Sequence, residues 1–482
     1  MTACFTKWTM VTLCGLMLAA ARDADANGLQ VTNVTVRKRD ACTAYLTFDI
    51  SWQNSWRYTN VNHDAAWVFF KARQEGQSEW HPVLLEGTGV TPPDYSNGVG
   101  TAVDLIVPSD RVGLFVRRVT EGAGALAVTN VQAVWNIASN GLTRASRVHV
   151  RAEAAEMVYV AKSAFAAGSG GNEIGAFTLT TIGTGDASVE PSGSGALGGA
   201  AGGYPTGQTA PNAAWPNGYG AFYCMKYEVS EGQWVDFFNT LTDAQKAARD
   251  ITGSSGKNTD GVIIRNTVAW TSGDATTSVR DRACSFLGWA DGVALADWSG
   301  LRPMTELEFE KACRGPVLPV ANEYVWGTTA ISATTSIAND GTGADTATGG
   351  NCNYNACSPD GPYRVGIYAT ATSSREAAGA SYWGVLDLGG NLWERPVTIG
   401  HATGRAFTGA HGNGELSAAG SADVAGWPGD DSVGAGFRAG AFMYKAEWTR
   451  TSDRENAATV YAPRCSDYGA RAVRSAPAGV TP

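Results

Sequence analysis

Charge is what this sequence has least of. Asp, Glu, Lys and Arg together make up 17% of the 482 residues, against about a quarter in ordinary soluble domains, and the balance is a formal −9. No basic surface is available to neutralise phosphates, which excludes nucleic acid as a main partner. No later stretch reaches about 18 apolar residues, so no transmembrane helix is expected. Histidine is scarce: His63 and His81 have no third ligand at metal spacing, and His401 and His411 share one glycine-rich loop, IGHATGRAFTGAHGNGE. That excludes a zinc or non-haem iron site built on them. HExxH, GxSxG, a Walker loop and a strand-to-helix GxGxxG are missing, so no family-independent catalytic signature remains. A Ser/His/Asp triad, which assembles in space, is the arrangement that leaves no such trace.

What the chain has in quantity is glycine, 59 residues, and aromatics, 10% with 16 Trp. Packed interiors joined by much irregular chain are expected, as in loop-rich extracellular proteins. The opening residues 1–26 place Lys7 before an apolar run and end on Ala24-Asp25-Ala26, the pattern of a cleaved signal peptide. Cys4 and Cys14 would leave with it. Seven of the nine cysteines would then remain in an oxidising compartment, an odd number, so at least one is free or pairs between chains.

Residues 27–152 read as strands. In TAYLTFDISWQ, Leu46, Phe48, Ile50 and Trp52 alternate with Thr47, Asp49 and Ser51, the period of a half-buried strand. Similar runs at 65–73, 112–119, 131–138 and 146–154, separated by turn-rich pieces, predict a β-sandwich of immunoglobulin or fibronectin type. A spacer or docking role is the plain reading of such a module.

The second domain is expected over 153–477, with a Gly/Ala/Ser/Pro-rich insertion loop at 183–220. Ser230 with Gln233, and Thr305 with Glu308, form capping boxes that predict helices; Trp234, Phe237, Phe238 and Leu241 follow the first at helical spacing, a core stripe. A further helix is expected over 286–298. Gly315 is placed to cap the helix that follows Thr305.

YEVSEGQW (227–234), LRPMTELEFEKACRG (301–315), GVLDLGGNLWE (384–394) and the terminal segment from Gly436 to Arg474 resemble, in order, the motifs of the formylglycine-generating enzyme (sulfatase-modifying factor) family. The resemblance implies an α+β chain whose second domain has a C-type-lectin-like fold. In that family two cysteines in the terminal segment hold Cu(I) and activate oxygen. Aligned on Arg438 and Gly440, their places fall on Tyr444 and Thr449 here, and a phenol and an alcohol do not replace two soft thiolates. Copper is therefore not expected. Cys352 and Cys357 have the same separation but precede the GGNLWE motif, which suits a local disulfide bracing a loop. Cys313 stands where the family often has a structural disulfide; its usual partner position reads Ala472, leaving Cys465 as the nearest substitute, and connectivity stays open.

The resemblance also implies calcium. Asn391 and Glu394 match side chains the family offers to one calcium, and Asn353 with Asp360 match another; hard oxygen donors suit that ion. A plain turn with Trp393 buried is the competing reading. After Glu394 the family continues with an aromatic, and here Arg395-Pro396 appears, a departure at the site's rim.

The terminal segment lies, by resemblance, where the true enzymes bind substrate peptide. It carries Phe442, Tyr444, Lys445, Glu447, Trp448, Arg450 and Tyr461, and aromatic and Arg side chains are the usual anchors of recognition surfaces; core packing would claim about half the aromatics. The first reading is a secreted or cell-surface protein that displays a surface for a protein, peptide or glycan ligand on a catalytically silent scaffold. The place of that surface is similar to the mutable patch of diversity-generating retroelement proteins. The alternatives are an active copper oxidase acting on sulfatase cysteines, and a structural component of an extracellular layer or filament.

Overall fold

Asn62–Gln74 is the strand on which both halves of the chain meet. All its residues from Asn62 to Ala72 are buried, and its two faces enter different interiors. The structure, a computed structural model, describes residues 27–59, 61–183 and 212–482. The expected signal peptide and most of the expected insertion loop lie outside the described residues.

The strands that matter for the site are β1 (Gln30–Lys38), β2 (Thr43–Tyr58), β3 (Asn62–Gln74), β4 (Val103–Val107), β5 (Gly113–Arg118), β6 (Gly122–Asn136), β7 (Val148–Val160), β8 (Phe222–Met225), β9 (Arg302–Pro303) and β10 (Ala472–Ser475). Thirteen strands among the described residues form one curled sheet, running β9-β10-β8-β7-β3-β2-β6 along its main path. β2 and β3 pair only at their turn, Arg57 with His63 and Tyr58 with Asn62. Beyond that corner β2, with β1 and β6, folds over as a second layer.

The alternation in β2 does what its period requires: Leu46, Phe48, Ile50 and Trp52 are buried between the layers, against Ala66, Val68 and Phe70 of β3 and Leu114 and Val116 of β5. Successive residues of a strand point to opposite faces. Ala65, Trp67 and Phe69 of the same β3 therefore enter the other core, with α1 (Glu231–Phe238) and α3 (Trp289–Trp298). The Trp67 indole donates to the Ser299 carbonyl at 2.7 Å, and the Arg474 guanidinium lies over the Trp67 ring at 4.4 Å while also bonding Asp110. β7 pairs with β3 from Val148 to Val158 and with β8 from Met157 to Val160, so the boundary expected after Ala152 falls inside a strand.

Helices are few and begin where their caps dictate. Ser230 caps α1 with Gln233 reciprocating, and Thr305 caps α4 (Glu306–Arg314) with Glu308 reciprocating. α4 ends at Gly315, whose φ of +72° suits a residue without Cβ. The helix expected from Phe286 starts later, after Gly288, whose N–H donates to the Asp291 carboxylate at 2.9 Å. A short helix, α2 (Asp243–Arg249), was not expected, although Thr242 and Gln245 form a third capping box.

α4 fixes the terminal segment through buried charges. Arg438 donates to Glu306 at 3.0 Å and to Glu310 at 2.9 Å, and Arg454 to Glu306 at 2.7 Å, with no exposed surface on any of the four. Burial alone would raise the Glu306 carboxyl, but Arg454 and Arg438 hold it below its ordinary value. Removing one partner from such a set leaves an uncompensated buried charge, so the network pins the backbone on both sides of residues 439–453.

Candidate ligand-binding surface

Gly440, at φ +63°, lets the chain turn beside Thr449. The Phe442 N–H then donates to the Asn391 carbonyl at 2.9 Å, and the Ala356 and Asn355 N–H groups donate to the carbonyls of Phe442 and Tyr444 at 2.7 and 2.8 Å. Held in this way, Phe442 points inward against Ala283, Val365 and Leu392 and has no exposed surface. The expectation that it belongs to a surface is corrected: it is core. Tyr444 and Trp448 are half-buried, and Lys445 and Glu447 are exposed. Tyr461 is exposed to 44%, and Arg450 is half-buried with Nη1 3.5 Å from the Asn322 side-chain oxygen.

These aromatics are not scattered. Trp393 sits at the centre, 5.4 Å from the Tyr444 ring, 5.6 Å from Trp448 and 5.7 Å from Phe437. Tyr444 and Trp448 are 4.7 Å apart, Phe437 and Tyr468 4.8 Å, and Tyr461 and Tyr468 5.8 Å. A single turn of 3-10 helix, Ala446–Thr449, presents Trp448, whose indole donates to Glu455 at 2.5 Å. Trp393 is thus the buried centre of a patch, and its burial agrees with the competing reading of a plain turn. Phe437, Tyr468, Arg395 and Asp467 belong to it and were missed. The one signal for them was the Arg395-Pro396 departure: the guanidinium lies 3.9 Å over the Phe437 ring, where the family carries an aromatic.

Burial, with the Asp467 carboxylate close by, pushes the Tyr444 phenol up to about 12, so it stays neutral. The same two causes raise the Cys465 thiol. Thr449 is buried and donates its hydroxyl to the Ala446 carbonyl at 2.8 Å. The Tyr444 and Thr449 positions therefore carry no soft donor for Cu(I). All seven described cysteines are free thiols. Cys352 donates to the Gly389 carbonyl at 3.2 Å and Cys357 to the Tyr354 carbonyl at 2.8 Å, so neither is bonded to the other. Cys313 lies under α4 among Met304, Phe309 and Trp383, and Cys465 lies near the surface; no bridge joins them.

The residues matched to calcium do not fit that ion here. Glu394 gives its carboxylate to Arg471, Nε to Oε1 at 2.6 Å, and the guanidinium also takes the Met225 and Leu386 carbonyls at 2.8 and 2.9 Å. An arginine thus supplies the positive charge beside Glu394. The Asn391 oxygen accepts from the Asn353 amide at 3.0 Å and the Tyr363 N–H at 2.8 Å, and its amide donates to Glu228. Asn353 donates as well to the Gly361 carbonyl at 3.0 Å, and Asp360 is exposed. Of the four residues, only Asn353 has a buried oxygen without a partner; it lines a small cavity with Asn351, Tyr363 and Asp387. Among the described residues no group of three or more His, Cys, Asp or Glu is arranged to hold a metal.

No curated protein matches the chain. Among solved structures it is similar to the Major Tropism Determinant M1 variant, at 14% identity and a TM-score of 0.25, over 94% of this chain and 85% of that one. It is also similar to the U1 variant, at 16% identity and a TM-score of 0.23, over 81% and 83%. The family model for the sulfatase-modifying factor enzyme 1-like domain matches residues 184–476, more than half of the sequence and all four quoted motifs, and the chain belongs to that family.

Proposed function

We propose that the protein is a ligand-binding member of this family, without the oxidase reaction, that works outside the cell. The observation that carries the reading is the fate of the copper positions. Tyr444 is stacked into an aromatic patch with Trp393 and Trp448, and Thr449 is folded inward. Neutral, half-exposed rings with arginine among them are built for contact rather than for electron transfer to oxygen. The amino-terminal layers are a sandwich of immunoglobulin or fibronectin type that carries the patch. No helix among the described residues is long and apolar enough to cross a membrane, and export rests on the pattern of residues 1–26.

The test is a pair of measurements on the full chain. With Cu(I) supplied, a sulfatase-type cysteine peptide should show no oxygen-dependent conversion to the aldehyde. Phage-displayed peptides and arrayed glycans should yield binders that Tyr444→Ala or Trp448→Ala abolishes. Turnover, or binders indifferent to both substitutions, overturns the reading.

A further inference from the structure

Where the amino-terminal layers meet the second domain, three buried side chains from remote parts of the sequence share one atom. Glu156, in β7, accepts on Oε2 from the Lys226 ammonium at 3.0 Å and from the Asn27 carboxamide nitrogen at 2.9 Å. Lys226 directly follows β8, and Asn27 precedes β1. All three are more than nine-tenths buried. Two nitrogens within hydrogen-bond reach of one oxygen are neighbours, so the Lys226 amine lies beside the Asn27 carboxamide. That carboxamide is fixed at its other atoms as well: its nitrogen also donates to the Gln53 carbonyl, and its oxygen accepts from the Asn54 amide at 2.8 Å. Aromatic rings wall the site, with the Lys226 nitrogen 4.9 Å from the Trp56 ring centre and 5.3 Å from that of Tyr227. A structural ion pair needs only Lys226 and Glu156. Here a carboxamide sits on the same carboxylate oxygen, and a further donor points at the atom where negative charge would develop if that carboxamide were attacked.

We propose that Lys226 and Asn27 join in an intramolecular amide bond, with Glu156 as general base and acid and Asn54 as the oxyanion donor. Burial would lower the Lys226 ammonium, but the Glu156 carboxylate, with Tyr227 and Asp64, holds it above its ordinary value, so the reaction starts from the ion pair. A proton first passes from Nζ to Glu156 Oε2 along their hydrogen bond, a transfer that burial assists because a neutral acid and amine avoid the desolvation of two charges. The Nζ lone pair then attacks Asn27 Cγ, and the carbonyl π electrons move onto Oδ1, where Asn54 donates. Glu156 hands its proton to Nδ2. The Cγ–Nδ2 bond breaks with its electron pair going to nitrogen, and the carbonyl re-forms. The extra proton on Nζ returns through Glu156 to the ammonia, which departs as ammonium past the exposed Gln53 and Asn54. Nothing is oxidised or reduced, and no co-reactant is consumed. Reactants held side by side in this way need no encounter, which is the main barrier the fold removes. The bond ties the chain just before β1 to the chain just after β8. It braces the junction covalently in a protein whose seven described cysteines form no bridge, and it restricts the unfolded chain as a disulfide across a long loop does.

The experiment is intact-mass spectrometry of the purified full chain, denatured and reduced, followed by peptide mapping. The mass should be one ammonia below that calculated for the residues the chain contains, and the map should hold one branched peptide joining Asn27 to Lys226. Glu156→Gln, which keeps the shape and cannot take the proton, and Lys226→Arg should both restore the full mass. Asn54→Ala, at an exposed residue, keeps the test open where the buried variants fail to fold; it should slow the loss of ammonia about a hundredfold. A parent chain at its full calculated mass overturns the inference, as does a loss of ammonia that the map places anywhere but between Asn27 and Lys226. Bond formation at the parent's rate in Glu156→Gln or Asn54→Ala overturns it too.

Discussion

Arg471 Nε lies 2.6 Å from Glu394 Oε1, and both side chains are buried. Glu394→Gln should cost about 3–5 kcal/mol in urea unfolding, because the guanidinium is left charged and unpaired. The loss should be the same in EDTA and in excess calcium, since the positive charge at this carboxylate belongs to the protein. A calcium-dependent difference between the native chain and the variant would show that the ion does occupy the position.

Phe442 and Tyr444 are two residues apart and should behave oppositely. Phe442→Ala empties a fully buried site and should destabilise by about 3–5 kcal/mol. Tyr444→Ala, at a half-exposed ring, should cost about 1 kcal/mol or less. Equal losses in thermal melts would put both rings in the core and remove the basis for a binding surface.

Gly436 has no room for a side chain: an added Cβ would lie 1.7 Å from the Ala457 carbonyl oxygen. Gly436→Ala must push two backbone segments apart, at about 3 kcal/mol or more. Because Phe437 and Arg438 follow directly, the displacement reaches both the aromatic patch and the buried charges under α4. A variant as stable as the parent in urea would mean that this stretch is not held as described.

Lys71 gives the stability a pH dependence. Its ammonium is buried in β3 with the Gly414 carbonyl as acceptor, the Trp298 ring 5.0 Å away, and the Glu415, Asp297 and Glu153 carboxylates acting on it; burial nonetheless lowers it to about 7. The unfolded chain keeps that proton up to about 10.5, so between these values the unfolded state binds more protons and stability rises with pH. Lys71→Met should flatten the rise in urea midpoint between pH 7 and pH 9. Asp297, which burial raises to about 6, titrates below this window. An unchanged slope in the variant would assign the dependence to another group.

What could be read from the sequence was what local pattern encodes. The β2 alternation, the Ser230 and Thr305 caps and the four family motifs all carry their information within a few residues. The third capping box at Thr242 was equally readable and passed over, because no apolar stripe follows it. Phe442 was misplaced because its direction is set by backbone bonds to Asn391 and Ala356, partners remote in sequence. Glu394 was assigned to calcium because the competing cation, Arg471, comes 77 residues later. Arg395 showed only as a departure from the family's aromatic, and Asp467 had no pattern, since its neighbours Tyr444 and Arg395 are remote in sequence.

Because β3 gives one face to each interior, the amino-terminal layers cannot turn independently of the patch built around Trp393. Whatever holds the chain by its amino-terminal part also sets the direction in which Tyr444 and Trp448 look. If the patch binds a partner as proposed, its direction is set by the amino-terminal layers rather than by a swivelling linker.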